Sequence, residues 1–313
     1  MKYSIIMMCH NSEWCIREAI DSVLAQTEPD FELLIIDDST SDRTCEVVSR
    51  YDDIRIKYHV VNFDSVGKTI NYAILKAQGE YISVLDPDDT YPIYRLKAMY
   101  DMAEGCDIVK GGWTEIDNNS FSTQDICVRN EIFKPIDLPL EERMEYFGIM
   151  PVWWNAIYRR EFILENNIKA HETDGAAYQD NAWVFQANMR AERVKVIPGS
   201  YYNYNLANPT SSTHSSRYPM SIATEFNWIE SFLEDNPYLN FKLRRILEKL
   251  RFTSYFWNLR RIEAEDFEKW KEQMQTDFKR NWEYMDCRLY EDKEWQLLKT
   301  AMDYPFNIVR IKE

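Results

Sequence analysis

Along the first hundred residues, hydrophobic and polar positions switch between two periods. Residues 4–8 are an unbroken apolar run, the pattern of a strand buried on both faces. A 3.6-residue period follows to about residue 26, with Ile16, Ala19, Ile20, Val23 and Leu24 on one face and Asn11 and Ser12 as N-cap candidates. Residues 31–36 predict a second strand ending in Asp37-Asp38, and residues 39–42 restart a helix that turns Val47, Val48 and Tyr51 inward. A third strand is expected over 54–60, a helix over 66–77 closed by Gly79, and a fourth strand over 81–85 that runs into Asp86-Pro87-Asp88-Asp89. Such alternation predicts an α/β unit, Rossmann-like, with a mostly parallel sheet flanked by helices.

Beyond Pro92 the pattern gives another helix, a strand over 106–111 and an irregular, polar stretch over 113–135. A strand over 152–158, helices over 159–167 and 181–191, and two short strands over 194–197 and 201–205 follow. The turn-rich segment 208–216 marks a boundary, so residues 1–217 are expected to form the α/β domain and 218–313 a helical C-terminal domain.

Composition narrows the function. The formal charge of −15 disfavours nucleic acid, whose phosphates such a chain would repel. Ten Trp and 20 Tyr exceed what most domains carry; most pack cores, but such rings also stack on bases and sugars. Six cysteines without C-x-x-C spacing read as reduced core thiols. The first apolar run stops at Cys9, too short for a secretory signal, and no run reaches the length of a membrane span, so a cytoplasmic protein is expected.

Three strands end in polar or acidic residues: Cys9-His10-Asn11, Asp37-Asp38 and Asp86-x-Asp88-Asp89. Ligands of open α/β sheets bind beyond the carboxyl ends of the strands, so these clusters are expected to meet. Carboxylates gathered there repel one another, and a divalent cation, Mg²⁺ or Mn²⁺, relieves the repulsion while leaving positions open for phosphate oxygens. The edge therefore suits a metal–diphosphate, although Asp-Pro-Asp-Asp taken alone also makes an ordinary turn. No G-x-G-x-x-G or G-x-x-x-x-G-K-[ST] loop is present. Lys68, after Val66-Gly67, is a candidate donor contact, with a solvated helix-start lysine as the plainer reading.

The stretch SIIMMCHNSEWCIREAIDSVLAQTEPDFELLIIDDSTSDRT, then YISVLDPDD, VWWNAIYRREFILENNI, YQDNAWVF and SYYNYNLANPTSST, resembles the family 2 glycosyltransferases of the GT-A fold. The resemblance covers roughly residues 3–214 with its motifs in order. It implies that Asp38 contacts the nucleobase in a pocket shaped by Cys9, His10, Asn11 and Glu13, and that Asp86 and Asp88 hold ribose and metal. It further implies Asp180 as catalytic base, where an isolated aspartate would more simply cap a helix, and Trp154 and Asn155 lining the sugar and acceptor pocket; His214 stands where some relatives have a late metal ligand, with a loop histidine of no ligand role as the plainer reading. The expected activity is inverting transfer from a nucleotide-diphosphate sugar, by family tendency a UDP-sugar, to a glycan or lipid-linked acceptor in cell-surface polysaccharide assembly. Departures from the family pattern are Met8 in place of a proline, His10 in place of a tyrosine, no glycine after Asp37-Asp38, and Gln179 where an acid usually precedes the base.

Two other classes compete. A nucleotidyltransferase needs a Gly-rich basic loop after its first strand, which CHNSEW is not; a non-catalytic glycan-binding module needs none of the charges of Asp38, Asp88 and Asp180. Lys242, Arg244, Arg245, Lys249, Arg251, Arg260 and Arg261 interleave with apolar residues in the C-terminal region. Such a helix either packs with its charges paired, the favoured reading, or lies on the inner face of an anionic membrane.

Overall fold

The apolar runs assemble into a mixed sheet. The computed structural model describes residues 1–303 except 119, 127–128 and 209–217. Strands β1 (Tyr3–Cys9), β2 (Phe31–Asp38), β3 (Ile56–Val61) and β4 (Tyr81–Val84) are parallel, in the order β3-β2-β1-β4. Every residue of β1 and β2 is buried, which explains why these strands read as continuous apolar runs. The crossovers carry α1 (Ile16–Leu24), α2 (Thr44–Val48), α3 (Val66–Lys76) and, after β4, α4 (Arg95–Asp101).

Local differences from the sequence reading have identifiable causes. Helix α1 starts after Cys15 without a side-chain cap, because Asn11 and Ser12 are used elsewhere. Asn11 is left-handed (φ 48°), and its Oδ1 accepts from the backbone N–H groups of Ser41 and Asp42, bracing the loop after β2. Helix α3 is capped by Ser65, whose hydroxyl accepts from the Lys68 N–H at 3.3 Å, and ends at Ala77 before reaching Gly79. Gly67 is buried on this helix against the carbonyl of His171, which a Cβ would approach to 1.9 Å; only glycine fits there.

The second half extends the sheet through β5 (Ile108–Asp117), β6 (Ser120–Gln124), β7 (Arg129–Phe133), β8 (Ala156–Arg159) and β9 (Val194–Asn205). Strand β8 sits antiparallel between β4 and β5, and β9 runs parallel to β5 on its other side. The stretch 113–135 is more regular than its polarity suggests: β5 continues to Asp117 and pairs antiparallel with β6, whose residues are mostly exposed and carry little apolar signal. The two short strands expected near 194–205 form one strand, with register shifts against β5 between Gly111 and Thr114. Helices α5 (Leu140–Phe147), α6 (Arg160–Glu165) and α7 (Gln179–Arg190) complete this part, and a 3₁₀ turn at Trp153–Asn155 replaces the start of the strand expected from 152. Cys45 and Cys287 are exposed thiols, not core ones; Cys127 lies outside the described residues.

Helices α8 (Ser221–Glu234), α9 (Pro237–Asn258), α10 (Phe267–Arg280) and α11 (Asp292–Asp303) form the helical C-terminal region. The boundary expected after residue 217 falls at the edge of a segment outside the described residues. Two basic residues of α9, Arg244 and Arg251, turn inward, while Arg245 stays exposed. Arg251, 0% exposed, pairs with Glu230 and, at 2.9 Å, with Glu248; Arg244 pairs with Glu230 and, at 3.1 Å, with Glu248. Lys249 reaches Glu294 at 2.6 Å and Arg245 reaches Asp286 at 3.3 Å. Among the described residues no helix is long and apolar enough to cross a membrane.

A buried ion cluster stabilises little as a whole, yet removing one partner strands the others without compensation. Arg251→Ala is expected to cost about 3–5 kcal/mol, read as a lowered denaturation midpoint with the sheet-associated signal least affected.

Candidate active site

The parallel register brings the strand ends together. Cys9 pairs with Asp37 across β1 and β2, and Leu85, just past β4, donates its N–H to the Ile6 carbonyl, so Asp86 emerges on the same edge. Above that edge lies a cleft of about 530 Å³. Cys9, His10, Asn11, Asp38, Asp86, Asp88, Trp154 and Asp180 all line it. Glu13, Lys68 and Asn155 do not. Glu13 is engaged by Arg43, whose N–H and Nε donate to its carboxylate at 2.9 and 3.1 Å. Lys68 follows the Ser65 cap by one turn of α3 and does not line the cleft, although Ser65, Val66 and Thr69 around it do. Asn155 is 0% exposed, with both side-chain polar atoms buried and unpartnered among the described residues. His214 lies outside the described residues.

Asp38 is 8% exposed, and both carboxylate oxygens are fully used. Oδ1 accepts from the N–H groups of Phe63 (2.7 Å) and Asp64 (3.1 Å) and from the Ser39 hydroxyl; Oδ2 accepts from the Ser65 N–H (3.1 Å) and the Thr69 hydroxyl (2.9 Å). Burial works against its charge, but these donors outweigh burial and hold its pKa below the ordinary carboxylate value. Its backbone carbonyl accepts from His10 Nδ1 at 2.7 Å, which leaves His10 Nε2 to accept from the Asn11 amide at 3.0 Å.

The Asp-Pro-Asp-Asp turn divides its labour. Asp89 faces inward, accepting from the Tyr202 hydroxyl and the Asn205 N–H, both at 2.7 Å, and so anchors the turn to β9. Asp88 Oδ2 accepts from the Asn208 amide at 2.6 Å. No donor among the described residues reaches the Asp86 carboxylate. Burial, then the charges of Asp88 and Asp180, push its pKa up to about 8. Burial also lifts Asp180 to about 6, against the hydrogen bonds it accepts from Asn181. Trp154 forms a wall, stacked on Tyr202 at 4.3 Å.

No lysine or arginine lines the cleft among the described residues. Acids thus collect where the described lining supplies no fixed cation, which is a donor set for a divalent ion shared with an anionic ligand. No group of three or more metal-ligating side chains occurs among the described residues, so such an ion would take part of its shell from ligand or water oxygens. Sequence reasoning missed Trp14, 56% exposed at the cleft, and Tyr178, Tyr218 and Thr69 in its lining. Thr69 was findable as the next-turn neighbour of the Ser65 cap; the aromatics carried no distinguishing signal.

The sequence matches glycosyl transferase family 2 over residues 4–166. The chain belongs to that family, and its mostly parallel mixed sheet with flanking helices is the GT-A fold. Among curated relatives, the uncharacterized glycosyltransferase EpsJ of Bacillus subtilis is 30% identical over 220 residues, covering 67% of this chain and 62% of its own. The chain thus spans less than two thirds of that relative's length. Among solved structures, residues 1–349 of S. aureus TarS in complex with UDP-GlcNAc superpose with a TM-score of 0.77 at 20% identity, covering 96% of this chain and 87% of that one. The mannosyltransferase PcManGT from Pyrobaculum calidifontis, in complex with GDP-Man and Mn²⁺, gives 0.57 at 16% identity, covering 96% and 79%.

Asparagine at position 38 would place an N–H₂ group against backbone donors, so Asp38→Asn is expected to destabilise by about 1–3 kcal/mol. Asp38 has a folded pKa below its unfolded value of roughly 3.9, so its contribution is complete above that value and fades as pH falls through the folded pKa. Melting curves from pH 7 to 3 should therefore show the wild-type advantage over Asp38→Asn shrinking only at the acid end.

Proposed function

We propose that this protein is an inverting glycosyltransferase that moves a sugar from a nucleotide-diphosphate donor, a UDP-sugar, to a hydroxyl of a glycan or lipid-linked acceptor. The carrying observation is the joining of Asp38, Asp86, Asp88 and Asp180 in one cleft that offers a diphosphate no basic side chain among the described residues. The UDP-GlcNAc bound to TarS and the GDP-Man and Mn²⁺ bound to PcManGT support a nucleotide-sugar donor and a divalent cation. The setting is the cytoplasmic side of cell-surface polysaccharide assembly, and the catalytic domain is placed at 1–217 with the helical domain at 218–313. Peripheral membrane contact through α9 is the weaker part of this reading, since Arg244, Arg245, Lys249 and Arg251 are already paired with carboxylates.

The roles follow from chemistry. Asp38, fixed as an anion by its internal donors, forms the floor of the nucleobase end beside Cys9, His10 and Asn11. Asp86 and Asp88 would hold a Mn²⁺ or Mg²⁺ ion, with His214 as a further ligand. When bound, such an ion would supply positive charge against the charge building on the departing diphosphate. Asp180 takes the acceptor hydroxyl proton as the acceptor oxygen bonds to the anomeric carbon and the carbon–oxygen bond to the diphosphate breaks. Trp154 walls the sugar and acceptor space.

Two measurements test this. Asp180→Asn should keep nucleotide-sugar binding within about twofold while transfer falls by about 10²–10⁴-fold. The wild-type rate should drop below about pH 6, as the base with its raised pKa becomes protonated; full transfer by Asp180→Asn removes the base assignment. In a thermal-shift panel, UDP-sugars should stabilise the protein with Mn²⁺ present and much less after chelation; equal shifts in both conditions count against the metal site.

A further inference from the structure

The segment leading into α7 is tied on both sides. Toward the donor half, the Gly175 N–H donates to the Asp64 carbonyl at 2.8 Å, the Val66 N–H to the Gly175 carbonyl at 3.0 Å, and the Ser65 hydroxyl to the Thr173 carbonyl at 2.6 Å. Toward the helical region, His171 Nδ1 lies 3.0 Å from the buried Glu225 of α8 and its ring stacks on Trp228. Gly175 is left-handed (φ 71°), and a Cβ there would strike the Tyr218 ring at 2.3 Å.

Tyr178 closes this segment, and its conformation is unusual. It is the N-cap residue of α7, at φ 68° and ψ 9°, in the left-handed region that a bulky residue rarely adopts, and it makes no side-chain cap. Such a conformation persists only where surrounding contacts impose it. Some come from the buried Gln179 side chain, which accepts from the Ala177 N–H at 2.7 Å and donates to the Thr173 hydroxyl at 2.9 Å, and the rest from the C-terminal region. The Tyr178 hydroxyl donates to Asn258 Oδ1, at the buried end of α9, and accepts from Arg261 Nη1. The Arg261 guanidinium also lies 5.2 Å over the Tyr178 ring and 5.3 Å over Trp257. Two residues later Asp180 projects into the cleft from the first turn of α7, bonded only to its neighbour Asn181 among the described residues. The direction of its carboxylate is therefore set by the start of α7, and that start is held jointly by the Gln179 bonds and by the grip on Tyr178.

From this we infer that Tyr178 is a positioning residue for the transfer reaction, and that the helical region, through Asn258 and Arg261, aims the base Asp180 at the acceptor. This rests on the assignment of Asp180 as base. A displaced base forfeits rate without altering donor affinity.

The test compares Tyr178→Phe, which keeps the ring and loses the gripped hydroxyl, in wild-type and Asp180→Asn backgrounds. In the wild-type background kcat should fall about 10- to 100-fold, with donor Kd, by calorimetry with the nucleotide-sugar alone, and acceptor KM each within about twofold. In the Asp180→Asn background the same change should alter residual transfer by less than about twofold, since no base remains to misplace. Arg261→Ala should reproduce the kcat loss, and the double Tyr178→Phe/Arg261→Ala should be no slower than the slower single variant. This pair also carries the test if one variant folds poorly. An equal factor in both backgrounds, or a raised acceptor KM at unchanged kcat, overturns the inference; the latter makes Tyr178 an acceptor contact. Full transfer by Asp180→Asn alone fails the base assignment itself, whatever Tyr178→Phe does, and the inference falls with it.

Discussion

Negative charge gathered in a cleft whose described lining holds no lysine or arginine is the constraint around which this molecule is arranged. Each acid there is dealt with differently. Asp38 is satisfied from within, by three backbone N–H groups and two hydroxyls. Asp89 is turned inward onto Tyr202 and Asn205. Asp86 is left with no donor among the described residues, so its charge is the one that a ligand or ion must answer. In that low-polarity surround the unpaired carboxylate takes up a proton instead, and a cation arriving there would displace it.

Much of the scaffold could be read directly from residue order. Strands buried on both faces announce themselves as apolar runs, and β1, β2 and β4 were found within a residue or two of their ends. The acids at those ends were placed together by the parallel register alone. What escaped the reading was information that side chains share across distance. The Asn11 side chain favoured a cap, and the loop after β2 claimed it first. Strand β6 is mostly exposed, so its polar residues looked like loop. Glu13 sits beside the cleft in sequence, but Arg43 holds its carboxylate, and Asn155 is carried by a 3₁₀ turn into the interior. No local pattern reports such competition between partners.

The helical region is more than a lid of hydrophobic packing. Its centre is ionic, with Glu230, Arg244, Glu248 and Arg251 desolvated together, so its helices must meet in one arrangement for the charges to be paired. That demand fixes the end of α9, and the end of α9 is where Asn258 meets Tyr178. Charge pairing deep in one half of the chain is thereby connected, through ordinary hydrogen bonds, to the backbone that bears Asp180 in the other.

Gly67 shows how closely the two banks of the cleft are joined. The helix beside Asp38 and the segment that precedes Asp180 touch there with only a hydrogen atom's breadth between α-carbon and carbonyl oxygen. Even one methyl group would act as a wedge, pushing the banks apart along their whole length. The gauge of the cleft is thus set at a point carrying no reactive group, by the smallest side chain available.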